Sequence, residues 1–470
     1  MKMKRPTLKS RIRFLLAAFL SLGWAASESP AADFPFPEKF RWCVATAAHQ
    51  IEGYNTESDW WDFEQIPGNI KNGDHSGAAC DHWNRLEQDT ALLQELGVQQ
   101  YRFSIEWAKL EPREGEIDLD VILHYRRELQ LLKDAGIEPM VTLHHFTLPR
   151  WVREKGGWEW NGSVQAFKRF TEVVVNEIAP DVRDFITINE PIIHLVIGYL
   201  GNRAPHSTPG LPGLKAALPN LLRAHAVSYH ALHRQARHAG ITDRRVGVAH
   251  HLRVFRPKRP WYFLDIMGAS ILSKASNWSF FDAIETGRLQ VNIPFLLDIN
   301  ERIAGLKGTQ DFIGINYYTR DVVNFNFQGP LLMSLEVLPN RPTTDVHWEI
   351  FPEGFGMVVE AAAKRAPGKP ILITENGLAD HADTQRAQFL KSHLWELHRL
   401  IQKGVPIQGY CHWSLMDNFE WSEGFEPRFG LYEVDYETQE RKARPSARLY
   451  KHIIQENGLN FTDPELESTL

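Results

Sequence analysis

The chain is poor in cysteine. Its 470 residues hold three, Cys43, Cys80 and Cys411, and no two stand in a CxxC spacing. That pattern argues against a structural zinc site and against a dense disulfide framework. Among 20 histidines there is no HExxH, so no zinc pair on a helix is expected. No apolar run reaches the roughly 18 residues that read as a bilayer span. Short-period repeats and low-complexity tracts are missing beyond the N-terminus, which argues against repeat architectures. Excess positive charge is missing as well. With 52 Lys and Arg against 58 Asp and Glu, the formal net charge is −6, which favours neither nucleic acid nor an anionic membrane as partner.

The cations that are present crowd the start. Lys2, Lys4, Arg5, Lys9, Arg11 and Arg13 precede an apolar run from Phe14 to Ala26, broken only by Ser21 and Gly23, and small residues follow to SPAAD at 29–33. A basic region, a short apolar core and a small-residue zone make a secretory signal peptide over residues 1–32. An uncleaved membrane anchor is the alternative, but about 13 residues span a bilayer poorly. No cysteine sits at the cleavage zone, so a lipoprotein is not expected. Cutting after Ala32 leaves residues 33–470 with a net charge of about −11. The mature chain is expected to be exported, periplasmic or secreted, with no membrane span. Its oligomeric state is left open.

What the chain has in quantity is short β-branched and apolar runs. They are 42–48, 99–105, 138–145, 184–190, 245–252, 311–318, 370–377 and 407–414. Several are apolar almost throughout, as parallel strands buried on both faces require. Amphipathic stretches lie between them, at 80–97, 121–136, 164–180, 221–240 and 387–404, ending at Gly97, Gly136, Pro180, Gly240 and Gly404. Eight strands alternating with helices predict a single (β/α)₈ TIM barrel of the α/β class. About 60 residues separate strands five and six, and about 50 separate six and seven, so long loops are expected at the C-terminal face. In such a barrel the first and last strands are neighbours. A Cys43–Cys411 bridge is then conceivable, though free buried cysteines are the expected state.

Barrel chemistry lies at the C-terminal ends of the strands. There the sequence places polar residues where a core would want apolar ones: Gln50, Arg102, His145, Asn189, Glu190, Asn316, Tyr318, Glu375, Asn376 and Trp413. Glu190 in TINEP and Glu375 in TENG close strands four and seven, on opposite sides of the ring. Two carboxyl groups facing each other suit glycoside hydrolysis, one as proton donor and the other as nucleophile. Arg102 and the Tyr318 hydroxyl would keep Glu375 ionised. Burial and the charge of Glu375 would keep Glu190 protonated until the nucleophile is spent. No metal and no organic cofactor is needed. Spacing alone also allows ordinary strand-end carboxylates, solvated or paired.

The flanking residues resemble glycoside hydrolase family 1, the β-glycosidases, from about Phe34 to Tyr450. FPFPEKFRWCVATAAHQIEG (34–53), YRFSIEW (101–107), VTLHHFTLP (141–149), TINEP, DFIGINYYTR (311–320), ITENG (373–377) and HWSLMDNFEWSEGFEPRFGLYEVD (412–435) follow in family order. The resemblance implies that Glu190 is the acid/base and Glu375 the nucleophile. It implies that Gln50, His145, Asn189, Glu420 and Trp421 hold the non-reducing-end sugar, that Trp413 is the platform beneath it, and that Trp348 lines the leaving-group side. The sequence departs from the family at Cys43, where Gly is usual, and at Phe146-Thr147, where Trp-Asp is usual. It departs again at Phe185 in place of Trp, and at Glu106 where Ser is commoner. Phospho-glycosidases are set aside because Glu420 and Glu423 would repel a phosphate. The myrosinase-like branch lacks an acid/base Glu, and the co-receptor branch has lost catalytic glutamates.

Other features have blander readings. His225, His230, His233, His238, His250 and His251 read as helix-surface or core histidines, with His225 packing near the barrel rim. Trp60–Trp61 reads as loop packing. Asn161, Asn277 and Asn460 each start a glycosylation sequon. The functional expectation is a retaining exo-β-glycosidase, a β-glucosidase acting on small β-glucosides or oligosaccharides. The alternatives are a β-galactosidase or β-fucosidase of the same fold and a non-catalytic glycan-binding barrel.

Overall fold

A computed structural model describes residues 32–328 and 332–460. The proposed signal segment, residues 1–31, lies outside them. Eight parallel strands close into a barrel: β1 Arg41–Ala45, β2 Gln100–Ser104, β3 Glu138–His144, β4 Asp184–Asn189, β5 Arg245–His251, β6 Phe312–Tyr317, β7 Ile371–Asn376 and β8 Ile407–Trp413. They neighbour one another in sequence order, and β8 pairs with β1. Seven lie within a residue of their expected runs, and β1 ends three residues short of its own. β2, β4, β6 and β7 are buried along their whole length; β6 and β7 run largely apolar, as such burial favours, whereas β2 alternates, and its buried Gln100 and Arg102 are hydrogen-bonded. Met140, Ile186, Ala249, Phe312 and Leu372 pack together as one apolar layer.

The surrounding helices are α1 Leu86–Leu96, α2 Leu119–Asp134, α3 Ser163–Val173, α4 Leu211–Ala239, α5 Ser279–Thr286, α6 Pro352–Arg365, α7 Arg386–Gln402 and α8 Pro445–Glu456. Gly97 and Gly240 cap α1 and α4 in the left-handed conformation, as expected of glycine at those positions. α4 starts ten residues before its expected bound, because Pro212 occupies its first turn and Pro219 lies inside without ending it. α3 gives way to a wider π turn at Val174–Ile178.

The segments expected as long loops carry structure of their own. Between β5 and β6 lie the strand Val254–Pro257, the helix Phe263–Leu272, α5, and the hairpin Arg288–Ile293 with Leu297–Arg302. Beyond β6, Arg320–Phe325 pairs in parallel with Val254–Pro257 and antiparallel with Met333–Glu336. Among the described residues no helix is long and apolar enough to cross a membrane.

The cysteines correct the expectation. Cys43 and Cys411 are register partners on β1 and β8, and a disulfide joins them. Cys80 is free and buried. The bridge spans the seam where the chain's first and last barrel strands meet.

At the opposite end of the barrel, the first residues of four strands are pinned together. Asp184 Oδ2 accepts from Arg41 Nη1 at 2.8 Å, Gln100 Nε2 at 2.7 Å and Arg245 Nη2 at 2.7 Å, and its Oδ1 accepts from Arg245 Nε at 2.8 Å. Removing that buried carboxylate takes the main partner from two part-buried cations, leaving Arg41 with Glu138 alone at 3.5 Å. Asp184→Ala is expected to cost about 3 kcal/mol in urea unfolding; an unmoved midpoint would show that the pin carries no stability.

Candidate active site

The strand-end residues meet at the C-terminal mouth of the barrel, around one guanidinium. Arg102 on β2 is wholly buried. Its Nη1 donates to Glu375 Oε1 at 2.6 Å and to the Thr374 carbonyl at 3.0 Å, its Nη2 to Asn189 Oδ1 at 2.7 Å, and its Nε to Thr142 Oγ1 at 3.2 Å. The Tyr318 hydroxyl donates to Glu375 Oε2 at 2.6 Å. Both oxygens of Glu375 are thus held, and its orientation is fixed.

Glu190 follows β4 directly and precedes a helix, Pro191–Leu195, with Pro at the first position. Its own backbone is left-handed, φ 43°, a conformation that costs an L-residue roughly 1–2 kcal/mol. Such strain persists where surrounding structure dictates it, often at functional sites. Glu190 Oε1 accepts from Asn316 Nδ2 at 2.8 Å and lies 3.0 Å from His251 Nδ1. Asn316 also donates to Asn189 Oδ1 at 3.1 Å and accepts from Thr374 Oγ1 at 2.6 Å. A continuous hydrogen-bond path therefore runs from Glu190 through Asn316, Asn189 and Arg102 to Glu375.

The protonation order turns on His251. Burial pushes Glu190 up, but where the imidazole is charged, that charge, a hydrogen bond from the ring and another from Asn316 outweigh burial and draw the carboxyl below its ordinary range. Burial also acts on Glu375; with the charge of Glu190 it overcomes Arg102 and Tyr318 and pushes that carboxyl up to about 7. With His251 charged, the order is thus the reverse of the one the sequence suggests. The difference traces to His251, which sequence reasoning grouped with core and surface histidines. It is the last residue of β5, so the strand-end rule that picked out its neighbours could have found it. His250 fits the bland reading, with Nε2 3.1 Å from Gln310 Oε1 and its ring against Phe281. So does His225, wholly buried between Thr187 and Thr309.

Beside the carboxylates lies a polar cup floored with aromatic rings. Gln50 Nε2 donates to Asn418 Oδ1 at 2.8 Å, the Phe419 carbonyl at 2.8 Å and Glu420 Oε2 at 3.2 Å. Its Oε1 is buried without a partner, as is Nδ1 of His145. His145 Nε2 lies 3.1 Å from Asn189 Nδ2, so it accepts that bond. Burial, then the nearby Arg102 charge, keeps the His145 ring well below its usual range and hence neutral. Unpaired buried polar atoms are rare and mark places where a ligand hydroxyl can bind. Burial, then the charge of Glu375, pushes Glu420 up to about 8. Trp413 stacks near the His145 ring, and Trp421 stacks on His49. Trp60 is wholly buried against Trp421, so it is packing that supports a wall of the cup. Trp348 packs edge-on against Tyr318. Gly377, after Glu375-Asn376, lets β8 approach; a Cβ there would stand 1.8 Å from the Trp413 carbonyl oxygen.

Two departures from the family pattern answer each other. Thr147 Oγ1 donates to Glu106 Oε2 at 2.8 Å. Where Ser and Asp are usual, this chain has Glu and Thr, and here the two bond each other. Cys43 in place of Gly is explained by its bridge to Cys411. Nothing in the structure explains Phe185.

The sequence matches glycosyl hydrolase family 1 over residues 32–459. The chain belongs to that family. Family members are O-glycosyl hydrolases. β-Glucosidase A of Thermotoga maritima is 34% identical over 447 residues, covering 90% of this chain and 98% of that protein. A β-galactosidase of Pyrococcus woesei is 30% identical over 515 residues, covering 90% and 98%. The structure of a β-glycosidase from Pyrococcus horikoshii superposes with a TM-score of 0.83 at 36% identity, covering 93% of this chain and 98% of that one.

The geometry makes the titration of Glu375 depend on its donors. Tyr318→Phe removes a bond that favours the charged carboxylate, so the group should titrate higher still, by about one pH unit. Carbon-13 NMR of labelled glutamate carboxyls would read this. A curve unchanged from the wild type would mean that Tyr318 does not stabilise the charge.

Proposed function

We propose that the protein is a retaining exo-β-glycosidase that hydrolyses terminal β-D-glucosyl residues of small β-glucosides or oligosaccharides. The observation that carries this reading is Glu375, buried at the barrel mouth with both oxygens held by Arg102 and Tyr318 and linked by hydrogen bonds to Glu190. Glu375 attacks the anomeric carbon while Glu190 gives its proton to the glycosidic oxygen; the C–O bond breaks with its electron pair leaving on that oxygen. Glu190, now a carboxylate, then takes a proton from water, whose oxygen displaces Glu375 and returns the sugar with its β configuration. Asn189 binds the 2-hydroxyl, where a contact tightens in the transition state. Gln50, His145, Glu420 and Trp421 bind the far edge of the sugar above Trp413. No metal or organic cofactor takes part in these steps.

The β-glucosidase relatives favour glucose. The β-galactosidase of Pyrococcus woesei keeps galactose as the second reading, and Gln50 with Glu420 offers partners to either orientation of the 4-hydroxyl. Beyond Glu190, a cavity of about 150 Å³ has walls that include Ile192 and Ile193, which follow the acid/base closely in the chain, with Leu297 and Leu335; we take it as the leaving-group side. That lining favours an aryl or alkyl leaving group over a second sugar. Export is part of the proposal. It is supported by the basic and apolar N-terminus and by the Cys43–Cys411 disulfide, since disulfides persist in oxidising compartments.

Glu375→Gly should abolish hydrolysis of aryl β-glucosides, and added azide should restore turnover as an α-glucosyl azide. Full activity in that variant would sink the assignment. Glu190→Ala should slow alkyl glucosides at least about 100-fold more than dinitrophenyl glucoside, because only the former need a proton on the leaving group. Proton NMR of the first-formed sugar should show the β anomer; an α product would rule out double displacement. In kcat/KM, octyl and phenyl glucosides should exceed cellobiose, and a reversed order would remove the apolar leaving-group reading.

A further inference from the structure

Behind Glu190 stands a chain of side chains that the steps above do not use. His251 ends β5, and Arg253 follows two residues on. Arg253 Nη2 and Nε both reach His251 Nε2, at 2.8 and 3.1 Å, while its Nη1 pairs with Asp321 Oδ2 at 2.7 Å. The Arg253 backbone is clamped as well. Asn277 Oδ1 accepts from its N–H at 3.2 Å, and Asn277 Nδ2 donates to its carbonyl at 2.8 Å.

A guanidinium has donors only. Nε2 of His251 must therefore accept, and a ring with one bare nitrogen carries its single proton on Nδ1. That N–H points at Glu190 Oε1 at 3.0 Å. Asn316 Nδ2 donates to the same oxygen at 2.8 Å. With two donors already aimed at Oε1, a proton on that oxygen would confront them, so the acidic proton of Glu190 belongs on Oε2. We propose that His251, Arg253 and Asp321 form a positioning device for the acid step: they seat the proton of Glu190 on Oε2 and keep charge off the imidazole beside it. The proposal rests on the reading of Glu190 as the acid/base.

The groups facing His251 are Glu190 after β4, Arg253 after β5, Tyr318 after β6, whose ring stacks on the imidazole at 5.9 Å, and, through Arg253, Asp321 on the strand Arg320–Phe325. Glu375 lies beyond Glu190. A charged imidazole would draw Glu190 below its ordinary range and leave the proton on Glu375, where it blocks attack. With the ring neutral that attraction is missing, and burial favours a protonated Glu190. Arg253 is what keeps the second ring nitrogen occupied.

The test uses the full-length enzyme, a series of β-glucosides from dinitrophenyl to alkyl leaving groups, and pH profiles of kcat/KM. His251→Leu should lower kcat/KM about tenfold or more on alkyl glucosides and leave dinitrophenyl glucoside within about twofold. His251→Asn, whose amide restores a donor toward Oε1, should recover most of that loss. Arg253→Met should lower kcat/KM on alkyl glucosides about threefold or more and leave dinitrophenyl glucoside within about twofold, because Nε2 loses the donors that hold the Nδ1–H toward Oε1. Equal losses across the series with an unmoved profile would reduce His251 to a space-filling residue and overturn the inference. An Arg253→Met leaving-group series that superimposes on the wild type would do the same, and it decides the matter alone should His251→Leu fail to fold. A wild type inactive on every aryl β-glycoside would instead overturn the functional reading beneath.

Discussion

A charge buried at the centre of the barrel mouth organises this protein. Taking a guanidinium out of water costs several kcal/mol unless its donors are met. Arg102 is met by a hydroxyl on β3, an amide at the end of β4, and a backbone carbonyl and a carboxylate on β7. Three strands must end in register for that to happen. The same contacts aim Asn189 and Glu375 into the cup, so the requirement that stabilises the cation also arranges the groups that handle sugar. Asn316 then ties Glu190 into the set through an oxygen that Arg102 already holds in place.

Much of this was legible in the sequence, for a physical reason. Strands buried on both faces must be apolar, so polar residues at their C-terminal ends stand out. Arg102, Asn189, Glu190, Tyr318, Glu375 and Trp413 were found in that way, and the structure brings them together. His251 met the same rule and was passed over, because its neighbour His250 is a core histidine and the pair was judged as one. Its importance depends on Arg253 and Asp321, and Asp321 lies 68 residues further on than Arg253. No local pattern reveals such a partnership. The protonation order was only partly legible for the same reason, since it also depends on what faces Glu190 from β5.

The additions between β5 and β7 were less legible. The strands Val254–Pro257, Arg320–Phe325 and Met333–Glu336 are short and only partly buried, so their composition resembles that of loops. The hairpin left a clearer trace. In Arg288–Ile293, Leu289, Val291 and Ile293 are buried while the residues between them are exposed, a period-two signal that can be read directly. The disulfide needed geometry. Two cysteines 368 residues apart become neighbours only because β8 closes on β1.

Asn277 carries a further consequence. Its sequence context, Asn-Trp-Ser, is an acceptor for N-linked oligosaccharide, yet in the folded chain its amide is buried and both of its polar atoms are committed to the Arg253 backbone. Glycan transfer acts on a chain still entering the lumen, before any barrel exists to hide the side chain. A host with that machinery would therefore set modification against folding at the residue that steadies Arg253. Each modified molecule would have to accommodate a sugar tree behind its own acid/base. Bacterial and eukaryotic preparations of this one sequence would then be two different enzymes.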